Sequence, residues 1–432
     1  MRTKWISMLF LCVALLPSCT NSTHLQAAPA MNMSDAPNTI KEDTSPVKPP
    51  APIEIQLTAV GDIMVHGPQL KAQYNKISDQ FDFHNNFHFI KPYVENADLA
   101  LFNLETTFAG EDKGYSSFPR FNSPDSLAEA LQTAGFDVAV AANNHTIDTG
   151  MDGVLRTLDV LHEKKLKTVG TRKSHKESRF LIENIKGIKI GITAYTYETP
   201  AYGKNKTINS LILPSNLEPL INSFRYDRLE EDLIQMKSTI DDMREAGAEI
   251  IVFYLHWGEE FQREPNDYQK LIAQVLNTYG VDIILGSHPH VLQPMEWMEH
   301  PKYGNQTLVV YSLGNFLSNQ RYEILKNRYT EDGMLVHVKI MKDMVNNSVH
   351  ISNVSYQPTW VHKYIDGSKR VFEILPLPEA LESFEEFHLS SKESQYRARL
   401  SYDNTIRLLQ LGDSTKFIST TQQKKTRKNN IE

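Results

Sequence analysis

The chain has 432 residues, 41% of them hydrophobic and 22% charged, enough to bury a sizeable core and too apolar for wholesale disorder. Its 45 lysines and arginines stand against 52 aspartates and glutamates, a net charge of −7 that speaks against general nucleic-acid binding. The only two cysteines, Cys12 and Cys19, fall near the N-terminus, so a metal site in the folded body has to draw on His, Asp, Glu or Asn.

Arg2 and Lys4 precede an apolar run, Trp5 to Leu16. That run is shorter than the roughly 20 residues a helix needs to cross a bilayer, and it fits a secretory leader. It ends in Leu16-Pro17-Ser18-Cys19, which resembles a bacterial lipobox with Pro17 as an unusual residue. Residues 1–19 are therefore expected to be a lipoprotein signal peptide. Cys19 would be acylated and the body would stand on the extracytoplasmic face of the cell membrane; the alternative is a plain signal peptide with an incidental Cys19. Residues 20–52 are rich in Pro, Ser, Thr and Asn and read as a disordered tether.

From Ile53 onward, short apolar runs each end abruptly in polar residues. Ile53–Val60 leads to Gly61-Asp62, Leu99–Phe102 to Asn103-Leu104-Glu105, and Val138–Ala142 to Asn143-Asn144-His145. Ile250–Leu255 leads to His256-Trp257-Gly258, and Ile283–Leu285 to Gly286-Ser287-His288-Pro289-His290. These runs read as buried strands. Amphipathic helices are expected over Ser126–Ala134, Asp152–Lys165, Arg228–Ala246 and Asn266–Tyr279, the last two stopped by Gly247 and Gly280. Alternation of strand and helix implies an α/β fold with mainly parallel strands, whose functional groups gather at the strands' carboxyl ends.

Asp62, Glu105, Asn144, His145, His256, His288 and His290 all fall at such ends. Carboxylates, imidazoles and an amide oxygen without thiolate suit divalent Mn, Fe or Zn. A carboxylate such as Glu105 can bridge two ions about 3.5–4 Å apart, the arrangement that clamps phosphoryl oxygens. A histidine beside a ligand, as His145 is beside Asn144, can protonate a leaving group. Taken singly, each has a plainer explanation: a strand-end histidine is more often a hydrogen-bonded structural residue, Asp62 could cap a turn, and Asn143-Asn144 could cap a helix. Five such ends together are hard to explain by packing.

The ordered series Gly61-Asp62-Ile63-Met64, Asn103-Leu104-Glu105, Ala142-Asn143-Asn144-His145, His256-Trp257-Gly258, Gly286-Ser287-His288-Pro289-His290 and Tyr311-Ser312-Leu313-Gly314-Asn315-Phe316 resembles the CapA/PgsA family of poly-γ-glutamate capsule biosynthesis. The resemblance covers about Ile53 to Phe316. It implies a fold similar to the calcineurin-like metallophosphatases, a four-layer α/β/β/α sandwich, with two divalent ions. By position, Asp62 would bind the first metal and Glu105 would bridge. Asn144, His256 and His288 would bind the second metal, His290 would return to the first, and His145 would be the acid. Glu260 would orient His256 or its neighbours from outside. Met64 stands where the phosphatase pattern has a histidine; His66 could reach in instead. The bridging residue is Glu rather than Asp.

On these grounds the folded domain spans 53–365, and 366–432 is an extension with a helix near Ser394–Leu411 and a polar basic tail. Thr199–Asp227 breaks the strand–helix rhythm and either covers the site or decorates the surface. The expected role is a surface-anchored part of poly-γ-glutamate capsule production or export, partnered by synthase or export components. The alternatives are a general extracytoplasmic metallophosphoesterase and a non-catalytic metal-binding module.

Overall fold

The computed structural model describes residues 50–302 and 306–410, with the backbone of Ile418–Ser419. The leader with Cys19, nearly all of the tether and the basic tail lie outside the described residues. Among the described residues, no helix is long and apolar enough to cross a membrane.

Two large sheets carry the fold. In the first, Ile53–Ile63, Leu99–Leu104, Val138–Val140 and Lys167–Val169 run parallel, and Asp332–Lys342, Val349–Asp366 and Lys369–Pro376 continue it as an antiparallel meander. In the second, Ser223–Phe224, Ile188–Tyr197, Ile250–His256, Ile283–Ser287 and Gln306–Val310 are parallel, with antiparallel edges at Phe180–Ile185 and Met295–Glu299. Mainly parallel strands therefore hold for the half of each sheet that carries the polar strand ends, whereas the meander of the first sheet is antiparallel.

Strand periodicity sorts the side chains into layers. Ile55, Leu57, Ala59, Leu99 and Leu101 face inward and meet Ile250, Val252, Tyr254, Ile283 and Leu285 of the other sheet in one core. Their neighbours Ala100, Phe102 and Leu104 face outward, onto Phe87, Leu127, Leu131 and Leu161 of the helical layer. On the far side Ile251, Phe253 and Leu255 pack against Leu233, Met236, Ile240, Ile272 and Leu276. The order is helix, sheet, sheet, helix, the expected four-layer α/β/β/α sandwich.

The helices form where the periodicity put them: Ser126–Thr133, Gly150–Glu163, Leu229–Glu245 and Asp267–Thr278. Asn266 caps the last of these through a reciprocal bond pair with Gln269. Gly247 and Gly280 take positive φ just beyond their helices, a conformation open to glycine without steric cost. The C-terminal helix is Lys392–Gln410. The hairpin Val349–Asp366/Lys369–Pro376 crosses residue 366, where the extension was expected to begin, so the first sheet continues to Pro376. Thr199–Asp227 carries a small separate sheet of three short strands, Thr199–Tyr202, Asn205–Ile208 and Leu211–Ile212, before Ser223–Phe224 joins the second sheet. Its Ile208, Leu213 and Leu217 pack on Ile147 and Val154, so it is fastened to the loop that carries Asn144 and His145.

His337 of the meander lies across from Thr58 and is 2.8 Å from its hydroxyl, buried on the outer face of the first sheet. Burial pushes its imidazole down from 6.5 to about 4. Because the folded value is the lower one, the unfolded chain takes up the proton first. Stability is then complete above pH 6.5 and falls as the pH drops toward 4, by on the order of 3 kcal/mol from this residue. The paired variant Thr58→Val/His337→Leu should lose melting temperature less steeply than the wild type across that window. Identical slopes in parallel thermal melts would show that His337 does not carry this loss.

Candidate metal centre

The carboxyl ends of the central strands from both sheets point into one buried space. Asp62 comes from Ile53–Ile63, Glu105 from the residue after Leu99–Leu104, and Asn144 and His145 from the loop after Val138–Val140. His256 is the last residue of Ile250–His256, and His288 and His290 follow Ile283–Ser287. None of these seven is more than 4% exposed.

A local irregularity aims Asp62. Its strand bulges between Val60 and Asp62, and its amide donates to the Gly314 carbonyl at 3.0 Å. Gly61 has no alternative residue here, since a Cβ would stand 1.9 Å from that same carbonyl oxygen.

Asp62 Oδ2 lies 3.0 Å from His290 Nδ1. Glu105 Oε1 lies 3.6 Å from His256 Nε2 and 3.7 Å from His290 Nε2. Asn144 Oδ1 is 2.9 Å from His256 Nε2. Two overlapping groups, Asp62–Glu105–His256 and Glu105–His288–His290, each bring their ligand atoms within 4.8 Å of one another, and Glu105 belongs to both. The six residues expected as ligands are thus brought together. His66 is not in either group. Its Nδ1 accepts the Asn319 amide at 3.2 Å, and its ring stands edge-on to Phe121, so it borders the site without turning a free Nδ1 into it. Glu260 is exposed, and its carboxylate acts on Glu105, while the Ser287 hydroxyl lies 3.0 Å from His256 Nδ1 and orients that ring.

His145 forms a second unit. Its Nδ1 lies 2.7 Å from Asp148 Oδ2, which also accepts the Phe121 amide at 2.6 Å. With Nδ1 held by a carboxylate, Nε2 is the nitrogen left for the site. The Phe121 ring stands edge-on between His145 and His66, with centroids 4.7 Å and 5.3 Å away.

Several contributors were not singled out from sequence. Asn103 donates to Asp62 Oδ1 at 2.8 Å and accepts from Asn143 at 3.1 Å, tying two loops together. Asn315 donates to the His290 carbonyl at 3.2 Å and to the Thr330 carbonyl at 2.9 Å, which holds the histidine turn. Tyr197 ends its strand as the ligands do and packs against His256 and His288, with centroids 6.4 Å and 4.8 Å away. Its place at a strand end was the available signal, but a phenol was not among the side chains sought.

The charge balance fits a divalent cation. Burial first, and then the Asp62 and Glu260 carboxylates, push the Glu105 carboxyl well above its ordinary range. Burial and mutual repulsion hold His256 and His288 well below theirs, so their rings are neutral and able to coordinate. Glu105 Oε1 and His288 Nδ1 are buried with no hydrogen-bond partner. Unpartnered acceptors around clustered carboxylates are costly unless a cation satisfies them.

Residues 56–320 match the family described as bacterial capsule synthesis protein PGA_cap. The chain is 28% identical to the capsule biosynthesis protein CapA of Bacillus anthracis, over 66% of this chain and 65% of that one, so it spans about two thirds of that relative's length. It is 26% identical to the PGA biosynthesis protein CapA of Bacillus subtilis strain 168, over 77% of this chain and 86% of the relative. Among solved structures it resembles the calcineurin-like phosphoesterase YfkN of Bacillus subtilis, with a TM-score of 0.39 and 14% identity over 81% of this chain and all of that one. A phosphatase from Mycoplasma pneumoniae gives a TM-score of 0.39 and 17% identity over 77% and 98%.

His288→Ala removes one candidate ligand while leaving the sheet core intact. Its affinity for divalent metal should fall about tenfold or more, with the thermal transition still cooperative. Elemental analysis of purified protein that finds unchanged metal stoichiometry would remove His288 from the ligand set.

Proposed function

Since the chain belongs to the PGA_cap family of bacterial capsule synthesis proteins, we propose that it serves poly-γ-glutamate capsule production or export at the extracytoplasmic face of the cell membrane. In this proposal it is held there by a lipid on Cys19 and works beside the synthase or export components. Its buried centre would hold two divalent ions, of Mn, Fe or Zn type, with Glu105 common to both. Asp62 and His290 serve one ion; Asn144, His256 and His288 serve the other. The observation that carries this is Glu105 Oε1, buried without a partner and common to both ligand groups.

Divalent ions at such a centre polarise a substrate oxygen and offset developing negative charge. The side chains supply the rest. Asn103 and Ser287 hold Asp62 and His256 in place. Asp148 fixes the His145 ring through Nδ1, which leaves Nε2 aimed to carry a proton to a departing oxygen or nitrogen. The closed packing of Tyr197 and Phe121 around the imidazoles limits water, which strengthens each of these interactions.

Removing a positioned general acid costs about 10²–10⁴-fold in rate. His145→Ala should therefore remain folded and metal-loaded, yet fail to restore surface poly-γ-glutamate in a strain lacking the native gene. Full restoration by that metal-loaded variant would favour the non-catalytic module instead. Separately, Cys19→Ala should leave the membrane fraction or stall in processing. Mass spectrometry of a mature chain that begins beyond residue 19 without a lipid would end the anchoring proposal.

A further inference from the structure

Beside the metal centre, on the other side of Asp148, lies a groove of about 540 Å³. Its floor is the stretch Ile147–Gly150, where the helix Gly150–Glu163 begins. One wall is the loop that carries Lys113, Ser116 and Arg120; the other is Leu211, Ile212 and Pro214 of the inserted three-stranded segment.

The two walls differ in chemistry. Lys113 and Arg120 are exposed, and neither has an ion-pair partner among the described residues. This contrasts with the cations nearby: Arg156 is committed to both oxygens of Asp125, Lys173 to Asp159 and Lys206 to Glu198. The carboxylate among the lining residues, Asp148, turns one oxygen to His145 and the Phe121 amide. The opposite wall is apolar, with Ile212 51% exposed.

The cationic loop is built, not slack. Asn122, 1% exposed, donates to the carbonyls of Gly110 and Gly114 at 3.0 and 2.8 Å and accepts the Ala109 amide at 2.7 Å. Ser116 and Asn122 exchange backbone bonds of 3.0 and 3.1 Å, and the Ser116 hydroxyl donates to the Arg120 carbonyl at 2.8 Å. The inserted wall is anchored by Ile208, Leu213 and Leu217 on Ile147. Both walls thus hold their shape before any ligand arrives, which lowers the cost of binding.

We propose that this groove is a substrate subsite that seats an extended γ-linked glutamate chain, with Lys113 and Arg120 pairing to its α-carboxylates and Ile212 and Leu211 covering its methylene pairs. The proposal rests on the capsule function above and adds where the polymer lies. A γ-glutamyl unit alternates a carboxylate with two methylenes along one strand, so one charged wall and one apolar wall match it together. Asp148 joins groove to centre: it lines the former and holds His145 of the latter.

The test uses the full chain with its metals and a fluorescein-labelled γ-glutamate oligomer, followed by anisotropy at low and at high salt. Lys113→Ala/Arg120→Ala should weaken binding about tenfold at low salt, as expected for two exposed charge pairs, with a smaller salt dependence. Lys113→Glu/Arg120→Glu should weaken it further. Metal content and melting temperature should match the wild type, since both side chains are exposed. Ile212→Asp, on the opposite wall, should also weaken binding and provides a second route should the loop variants misfold. Equal affinity of the wild type and the charge-reversed variant would overturn the groove proposal and leave the capsule function standing. A wild type that does not bind the oligomer at all would overturn the groove together with the choice of polymer.

Discussion

The constraint on which this structure depends is the burial of Asp62 and Glu105 side by side where the two sheets meet. An isolated carboxylate in a low-dielectric interior is unfavourable by tens of kcal/mol in the Born limit, so such groups are paired, protonated or bound to metal. The charged groups that act most on Glu105 are other carboxylates, and burial holds the His256 and His288 imidazoles well below their ordinary range. Hydrogen bonds settle only part of the demand: Asn103 serves Asp62 Oδ1, and Glu105 Oε1 has no partner. A cation would complete the balance, and the surrounding amides make sense as the frame that keeps the acceptors aimed at one point.

That frame carries strain. His288 and His290 sit at φ of 97° and 57°, in the left-handed region that favours glycine, on either side of Pro289. Such conformations cost of order 1–3 kcal/mol each and persist where the surroundings over-determine them. Here the Phe261 amide donates to the Pro289 carbonyl at 2.8 Å, Asn315 to the His290 carbonyl and the Ser312 hydroxyl to the Val291 carbonyl at 2.7 Å. Asn315 is also the register partner of Asp62, so one residue links the histidine turn to the strand that presents the first carboxylate. The distortion thus lies in the turn that brings His288 and His290 toward Glu105, and the energy to sustain it comes from bonds outside the site.

Much of this was legible in the sequence because parallel strands are short, apolar and end at one edge. Asp62, Glu105, Asn144, His256, His288 and His290 could be named from strand ends alone. What escaped depended on contacts between distant segments. Asn103 stands in a strand-end motif, but its bond to Asp62 follows only once the register sets the two side by side. Ser287 is an unremarked strand residue until parallel pairing sets it beside His256. The role of His66 turned on the Asn319 amide, which no local pattern reveals. The hairpin across residue 366 was announced by Asp366-Gly367, a favoured hairpin dipeptide with Gly367 at φ 57°, and its antiparallel pairing explains why a reading tuned to strand–helix alternation stopped too early.

The net charge of −7 looks unsuited to handling a polyanion, yet net charge is a poor guide at the scale of a binding groove. At physiological ionic strength fields from exposed charges decay over about 8 Å, so a bound chain senses the cations within reach and little of the remainder. Arg156 is taken up by Asp125, Lys173 by Asp159 and Lys206 by Glu198, whereas Lys113 and Arg120 of the groove lining have no ion-pair partner among the described residues. An otherwise acidic surface then has a use. Under the proposed function it would disfavour unspecific adsorption of a polyanion elsewhere and favour the groove beside Asp148 as the place for the chain to settle. Global repulsion and local attraction act together, and the acid composition that argues against nucleic-acid binding is compatible with selective handling of an acidic polymer.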